Sequence, residues 1–196
     1  MFVQRSQAQC CAASRLCSAA PAACAGLALE ASASWEQAVK SMLFVCLGNI
    51  CRSPLAHGLM RDELRQRGLE AEFAVDSCGT SAYHNGHGAD SNNVAVAAAH
   101  GVDLRDMRSR RLQDSDYFDF DLMVAMDRSN EADIIARRPQ GSTAQLVRFM
   151  SFVPGAQGAD VPDPYYGGLD GFEQVFQLVR SGIVPLLEYA LAADLS

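Results

Sequence analysis

Met42-Leu43-Phe44-Val45 is an unbroken apolar run, the pattern of a short strand buried on both faces of a parallel sheet. Ser53-Pro54 follows after a short loop and supplies a natural cap and first position for a helix. Leu55, Leu59, Met60 and Leu64 then recur at helical spacing until Gly68 stops the pattern. Further along, the pattern predicts a strand over 72–76 and an alanine-rich helix over 92–100. It then predicts a strand over 119–126 with Leu122, Met123 and Val124 as its core, and a helix over 128–138 closed by Pro139. A fourth strand is expected over 146–150 and an amphipathic final helix over 172–190. Strands alternating with helices predict an α/β fold: one domain, a four-stranded parallel sheet with helices on both faces. No internal repeat interrupts this order, and a second domain has no room.

Residues 1–41 follow no such pattern. They are rich in Ala, Ser and Cys, and lack any acidic residue before Glu30. Neither a period of 2 nor one of 3.6 is present, so no core element is expected there. Three readings compete: a translated upstream segment with Met42 as the working start, a disordered tail, or a targeting peptide. Arg15 and the mostly alanine apolar content weaken the third. The expected boundary therefore separates an extension over 1–41 from a folded domain over 42–196.

Composition narrows the function classes. The chain is 49% hydrophobic with a net charge of -7, which suits a soluble domain and disfavours a nucleic-acid partner. No uninterrupted run reaches the roughly 18 apolar residues of a membrane span. Lys40 is the only lysine, so nothing beyond it can be a catalytic lysine. Of seven cysteines, four crowd into the N-terminal segment and none follows Cys78. That distribution does not staple a fold, and free thiols in a reducing cytoplasm fit it better.

The chemistry concentrates in Cys46-Leu47-Gly48-Asn49-Ile50-Cys51-Arg52-Ser53, between the first strand and the first helix. Ligands of open parallel sheets bind beyond the carboxyl ends of the strands, so a site belongs here. Backbone N–H groups of such a loop converge, and the helix N-terminus adds positive potential, which together cradle an anion. Arg52 can grip two phosphate oxygens in a bidentate pair, which a lysine cannot match. The same field favours the thiolate, the nucleophilic form of a cysteine placed where Cys46 stands. Ser53 can donate a hydrogen bond to that sulfur, and Asn49 can hold the loop's shape.

This loop resembles the phosphate-binding loop of the low-molecular-weight protein tyrosine phosphatases. Asp76-Ser77 with Gly79-Thr80, His100-Gly101-Val102, Arg108-Ser109-Arg110-Arg111-Leu112 and Met126-Asp127-Arg128-Ser129-Asn130 follow in the family's order. Asp163-Pro164-Tyr165-Tyr166-Gly167-Gly168 is similar to the family's general-acid loop, and the likeness spans roughly residues 42–190. The resemblance implies a metal-independent, cofactor-free hydrolase that forms a phosphocysteine on Cys46. It implies phosphate held by Arg52 and the loop amides, and Asp163 as general acid, then base. It implies that Ser77 braces Asn49, and that Leu47, Gly48, Asn49, Ile50, Cys51, Ser53, Tyr83 and Tyr165 contact substrate. Tyr83 stands where many members carry tryptophan, and Ile50 where relatives acting on phosphoarginine carry threonine. Cys78, Gly88-Ala89 and Arg111 depart from the usual alanine, proline pair and glutamine. Phosphotyrosine proteins are the substrates implied, and a tyrosine kinase is a further partner the resemblance suggests.

Cys51 is read either as a small packing residue or, by resemblance, as the partner that traps oxidised Cys46 in a reversible disulfide. His84, His87 and Asp90 have the spacing of a ligand set, but such a polar string in a glycine-rich loop more often makes a solvated rim. His57 and His100 are read as surface or packing residues. Arsenate reduction on a similar scaffold needs a further cysteine pair as a relay, and no cysteine follows Cys78. A phospho-binding module without turnover would lack the nucleophile or the acid, and both are present. A nucleotide-binding G-x4-G-K-[ST] loop is absent.

Overall fold

The computed structural model describes residues 39–192, so most of the expected N-terminal extension lies outside the described residues. β1 (Ser41–Cys46) occupies an inner position of a four-stranded parallel sheet ordered β2-β1-β3-β4. Its partners are β2 (Ala74–Gly79) and β3 (Leu122–Ala125), and β3 pairs in turn with β4 (Gln145–Arg148). The strand begins one residue ahead of the predicted run. Asp121 Oδ2 accepts hydrogen bonds from Ser41 N at 2.9 Å and Ser41 Oγ at 2.7 Å, and Val39 just before it is fully buried.

Alternation along β1 explains why the whole strand is apolar. Met42, Phe44 and Cys46 point into one core with Leu122 and Val124, while Leu43 and Val45 point into another with Met123 and Ala125. The first core is closed by α1 (Arg52–Arg67), α2 (Ser91–Ala99) and α5 (Gly168–Ala192). The second is closed by α3 (Asp116–Asp119) through Tyr117 and by α4 (Arg128–Arg137) through Ile134. Tyr117 is 1% exposed and its hydroxyl donates to Ile134 O at 2.7 Å, so the buried phenol is satisfied. Phe44 is fully buried beside Phe149, and burial of a side chain this size stabilises by about 1.5–3 kcal/mol.

Several boundaries differ from the pattern's prediction. β2 starts at Ala74 rather than 72, because a turn closed by Glu72 N and Leu69 O occupies the chain before it. It continues to Gly79, where an added Cβ would stand 2.7 Å from Leu47 O, so only glycine allows the loop to lie this close. The strand predicted from 119 shortens to Leu122–Ala125 because Asp116–Asp119 form the short helix α3. β4 ends at Arg148 and passes into a 3-10 turn over Phe149–Phe152.

α5 is the one described helix long and apolar enough to cross a membrane, with a mean hydropathy of 1.3. Phe172, Val175, Phe176, Val179, Ile183, Leu186 and Leu187 on it are buried in the first core, as befits a core helix. Glu173, Arg180 and Glu188 interrupt its apolar positions, which is why no continuous run stands out in the sequence.

His57 on α1 is largely buried, with Nδ1 3.9 Å from Asp76 Oδ1. Burial outweighs that carboxylate and lowers the imidazole to about 4. In the unfolded chain a histidine titrates near 6.5. Between these values the unfolded state takes up a proton that the folded state refuses, so stability falls as pH drops from about 6.5 towards 4. The loss should reach about 3 kcal/mol. His57→Gln should remove most of that slope in denaturant midpoints measured from pH 7 to pH 4.5. An unchanged slope would mean His57 is protonated in the fold.

Candidate active site

Cys46 ends β1, and the chain turns through residues 47–51 into α1, whose first residue is Arg52. The turn carries an uncommon backbone: Asn49 has φ 54°, a left-handed conformation that a non-glycine residue adopts at a cost. Its side chain holds it there. Nδ2 donates to Ser53 Oγ and Ser77 Oγ, both at 2.9 Å, and Oδ1 accepts from Arg110 N at 3.0 Å. The carboxyl end of β2 thereby supports the loop that leaves β1.

The sulfur of Cys46 accepts from Asn49 N at 3.2 Å and from Ser53 Oγ at 3.1 Å, and the residue is 2% exposed. These two donors, with the N-terminus of α1, direct positive partial charge at the sulfur. Arg52 is 4% exposed. Its Nη1 donates to Asp127 Oδ2 at 2.6 Å and Val161 O at 3.2 Å, and its Nη2 donates to Asp163 Oδ2 at 3.0 Å. Burial works against the guanidinium's charge, but Cys46, Asp163 and Asp127 prevail and hold it above the ordinary arginine range.

Asp163 sits on the loop between β4 and α5, with its side chain 48% exposed and Oδ1 accepting from Tyr165 N at 3.2 Å. That bond fixes the carboxylate over the cavity mouth in an aspartate turn. The cavity holds about 370 Å³ and is lined by Cys46, Leu47, Gly48, Ile50, Cys51 and Arg52 below. Tyr83, His84, Asp163, Tyr165 and Tyr166 line it above. Tyr165 and Tyr166 meet edge to face at 5.0 Å between ring centroids. An anion-binding floor beneath aromatic walls suits a ligand with phosphate at one end and a flat ring at the other.

The structure gathers the selected residues here: Cys46, Leu47, Gly48, Ile50, Cys51 and Arg52 form the floor, Tyr83, Asp163 and Tyr165 stand at the mouth, and Asn49, Ser53 and Ser77 lie buried behind the floor rather than lining the cavity. Cys51 lines the same cavity, and burial pushes its thiol far above the ordinary range, so it does not compete as a second thiolate. His84 stands on the wall beside Gly48, while Asp90 caps α2 by accepting from Asn92 N at 2.8 Å. Among the described residues no group of three or more His, Cys, Asp or Glu is arranged to hold a metal. His100 stacks on Phe176 and its Nε2 lies 2.9 Å from Glu173 Oε1, and it does not line the cavity.

Sequence reasoning missed three contributors. Asp127 caps α4 through Asn130 N at 2.7 Å and also orients Arg52. Its signal was available: an aspartate at the carboxyl end of the strand next to β1. Arg110 ties its backbone to Asn49 while its guanidinium pairs with Asp76 and Asp116. Tyr166 adds a second ring to the wall and was legible only as part of the Asp163 motif.

A sequence profile described as low molecular weight phosphotyrosine protein phosphatase matches residues 41–195. A protein of that name from Schizosaccharomyces pombe is 44% identical over 140 residues, covering 70% of this chain and 89% of the relative. The low molecular weight protein-tyrosine-phosphatase YfkJ of Bacillus subtilis is 37% identical over 147 residues, covering 75% and 93%. The crystal structure of YfkJ superposes with a TM-score of 0.72 at 35% identity, covering 78% of this chain and 95% of that one. A protein tyrosine phosphatase from Entamoeba histolytica gives a TM-score of 0.71 at 36% identity, covering 76% and 94%. With the loop, the Asp163 carboxylate and the sheet order already in place, the chain belongs to the low molecular weight phosphotyrosine protein phosphatase family.

Proposed function

We propose that the chain hydrolyses phosphotyrosine in protein substrates through a phosphocysteine on Cys46, with Arg52 binding phosphate and Asp163 moving the proton. The observation that carries this reading is the convergence of Cys46, Arg52 and Asp163 on one cavity beneath tyrosine rings.

Phosphate enters the cradle of loop amides, and two of its oxygens take the guanidinium of Arg52. Asp163 gives up its hydrogen bond with Arg52 Nη2 as phosphate takes that donor. Its carboxyl then turns to the ester oxygen, carrying the proton that the leaving group needs. The Cys46 thiolate attacks phosphorus in line, the P–O bond to the phenol breaks, and Asp163 gives its proton to the leaving oxygen. Phenol departs and phosphate remains on sulfur. Asp163, now a carboxylate, takes a proton from water as that water attacks phosphorus, and Ser53 Oγ stabilises the departing thiolate. Inorganic phosphate leaves. Asp127 keeps Arg52 in plane, and Asn49, Ser77 and Arg110 hold the loop, so the cradle needs little reorganisation.

Leu47, Gly48, Ile50, Tyr83 and Tyr165 contact the substrate in this reading, and Tyr selectivity comes from reach. Phosphoserine is too short to span from the rim to the sulfur. The unit proposed to carry the activity includes Val39, ahead of the sequence boundary at Met42, because Val39 is fully buried. A cytoplasmic placement and a tyrosine kinase partner belong to the same proposal. The free thiols Cys46, Cys51 and Cys78 support the former by suiting a reducing compartment.

The test is phosphate release from a phosphotyrosine peptide and its phosphoserine counterpart, with and without excess chelator. Release from the tyrosine peptide alone, undiminished by EDTA, is expected because Arg52 and the loop amides supply the positive charge. Loss of activity that zinc or magnesium restores would replace this reading with a metal-dependent one.

A further inference from the structure

A second depression of about 420 Å³ adjoins the catalytic cavity and shares Leu47 and Tyr83 with it. Its lining includes Thr80 and Ser81 from the turn after β2, Arg111, and Asp133 and Arg137 of α4. Leu47 and Tyr83 are 48% and 87% exposed, so they form a low rim between the two spaces. A peptide that leaves the first cavity over that rim, in an extended conformation that advances about 3.3 Å per residue, carries a residue flanking the phosphotyrosine to this groove.

The groove's charge stands against that of the molecule. Two guanidinium groups face one carboxylate there, in a chain whose net charge is -7. Arg110 is engaged with Asp76 and Asp116, but the exposed side chain of Arg111 has no ion pair or hydrogen bond among the described residues. Arg137 spends Nη1 on Thr80 O at 2.6 Å and has no carboxylate partner among the described residues. Thr80 is 2% exposed, yet its Oγ1, like Ser81 Oγ, is buried without a hydrogen-bond partner.

We propose that this groove is a subsite for a residue flanking the phosphotyrosine, and that it takes an acidic side chain whose carboxylate pairs with Arg111 and Arg137. The proposal rests on the phosphotyrosine reading of the neighbouring cavity and adds a preference among substrates to it. Asp133 limits that preference, because it offers the same carboxylate a repulsive neighbour.

The test uses phosphotyrosine peptides carrying Glu, Gln or Lys at each of the two positions before and after the phosphotyrosine. With the wild-type chain at low ionic strength, Glu should exceed Gln about two- to fivefold in kcat/KM at one or more of these positions. Half-molar salt should shrink that ratio, since exposed charge pairs are screened. Arg111→Gln should bring the Glu-to-Gln ratio near one, Arg111→Glu should reverse the order in favour of Lys, and Asp133→Asn should enlarge it. Reading a ratio within each variant separates subsite recognition from any general loss of activity. A ratio near one at every position in the wild type, or the same ratio in Arg111→Glu, would overturn the proposal while leaving the phosphatase reading standing. Failure of the wild-type chain to hydrolyse any of the peptides would overturn both.

Discussion

Cys46→Ser should lower turnover of phosphotyrosine by roughly 10⁴-fold or more while leaving the fold and phosphate binding in place. A serine hydroxyl is not ionised near neutral pH, so the loop that favours a thiolate has no comparable anion to offer. The replacement is nearly isosteric. Its oxygen can still accept from Asn49 N and Ser53 Oγ, the two donors that now meet sulfur at 3.2 and 3.1 Å. Denaturant midpoints should therefore shift by no more than about 1 kcal/mol, and inorganic phosphate should still protect the variant against unfolding. Turnover of p-nitrophenyl phosphate near the wild-type rate would remove Cys46 from the chemistry.

Asp163→Ala should slow substrates in proportion to their need for a proton on the leaving oxygen. Phenols that are acidic leave well unaided and should suffer little. The phenol of tyrosine has a pKa of about 10, so phosphotyrosine should lose on the order of 10²-fold or more in kcat. Arg52→Lys should behave differently. Lysine keeps the charge but not the fork that meets two phosphate oxygens, so the loss should be similar across all leaving groups. A series of aryl phosphates, measured where phosphorylation of Cys46 limits the rate, separates the two. A leaving-group slope that steepens only in Asp163→Ala supports proton delivery. Equal losses along the series would mean that Asp163 shapes its loop or orients Arg52, to which it lies 3.0 Å away.

What could be read in the sequence and what could not follow from how far apart the partners lie in the chain. The floor of the site is contiguous, Cys46 to Ser53, and the strand before it is apolar at every position because both faces are buried. Strand, loop and helix could thus be placed from local pattern alone, and the strand–helix alternation carried the parallel sheet with it. Asp163 was legible only through its motif, since 111 residues separate it from Arg52. Asp127 and Arg110 were not selected because their roles depend on strand order. Asp127 follows β3, which happens to flank β1, and Arg110 reaches Asn49 only after the chain has bridged to Gly79. The start of β2 was misplaced for a related reason. Residues 72 and 73 have the composition of a strand, but the register Ser41↔Ala74 sets where pairing begins. The end of β4 likewise yields to a 3-10 turn that buries Phe149 and Met150. His84 reads in the sequence as part of a polar rim rather than a ligand set, and the fold turns it onto the cavity wall beside Gly48.

The central claim is that phosphate passes through the sulfur of Cys46. The most direct measurement is mass spectrometry of protein quenched in acid within milliseconds of mixing with excess phosphotyrosine peptide. It is best done on Asp163→Ala, whose second step lacks its base. Phosphate should be found on the peptide containing Cys46, at close to one per chain, and should be missing from the same peptide of Cys46→Ser. Phosphate on another residue, or turnover of the wild-type chain with no phosphorylated Cys46 at any quench time, would contradict the account.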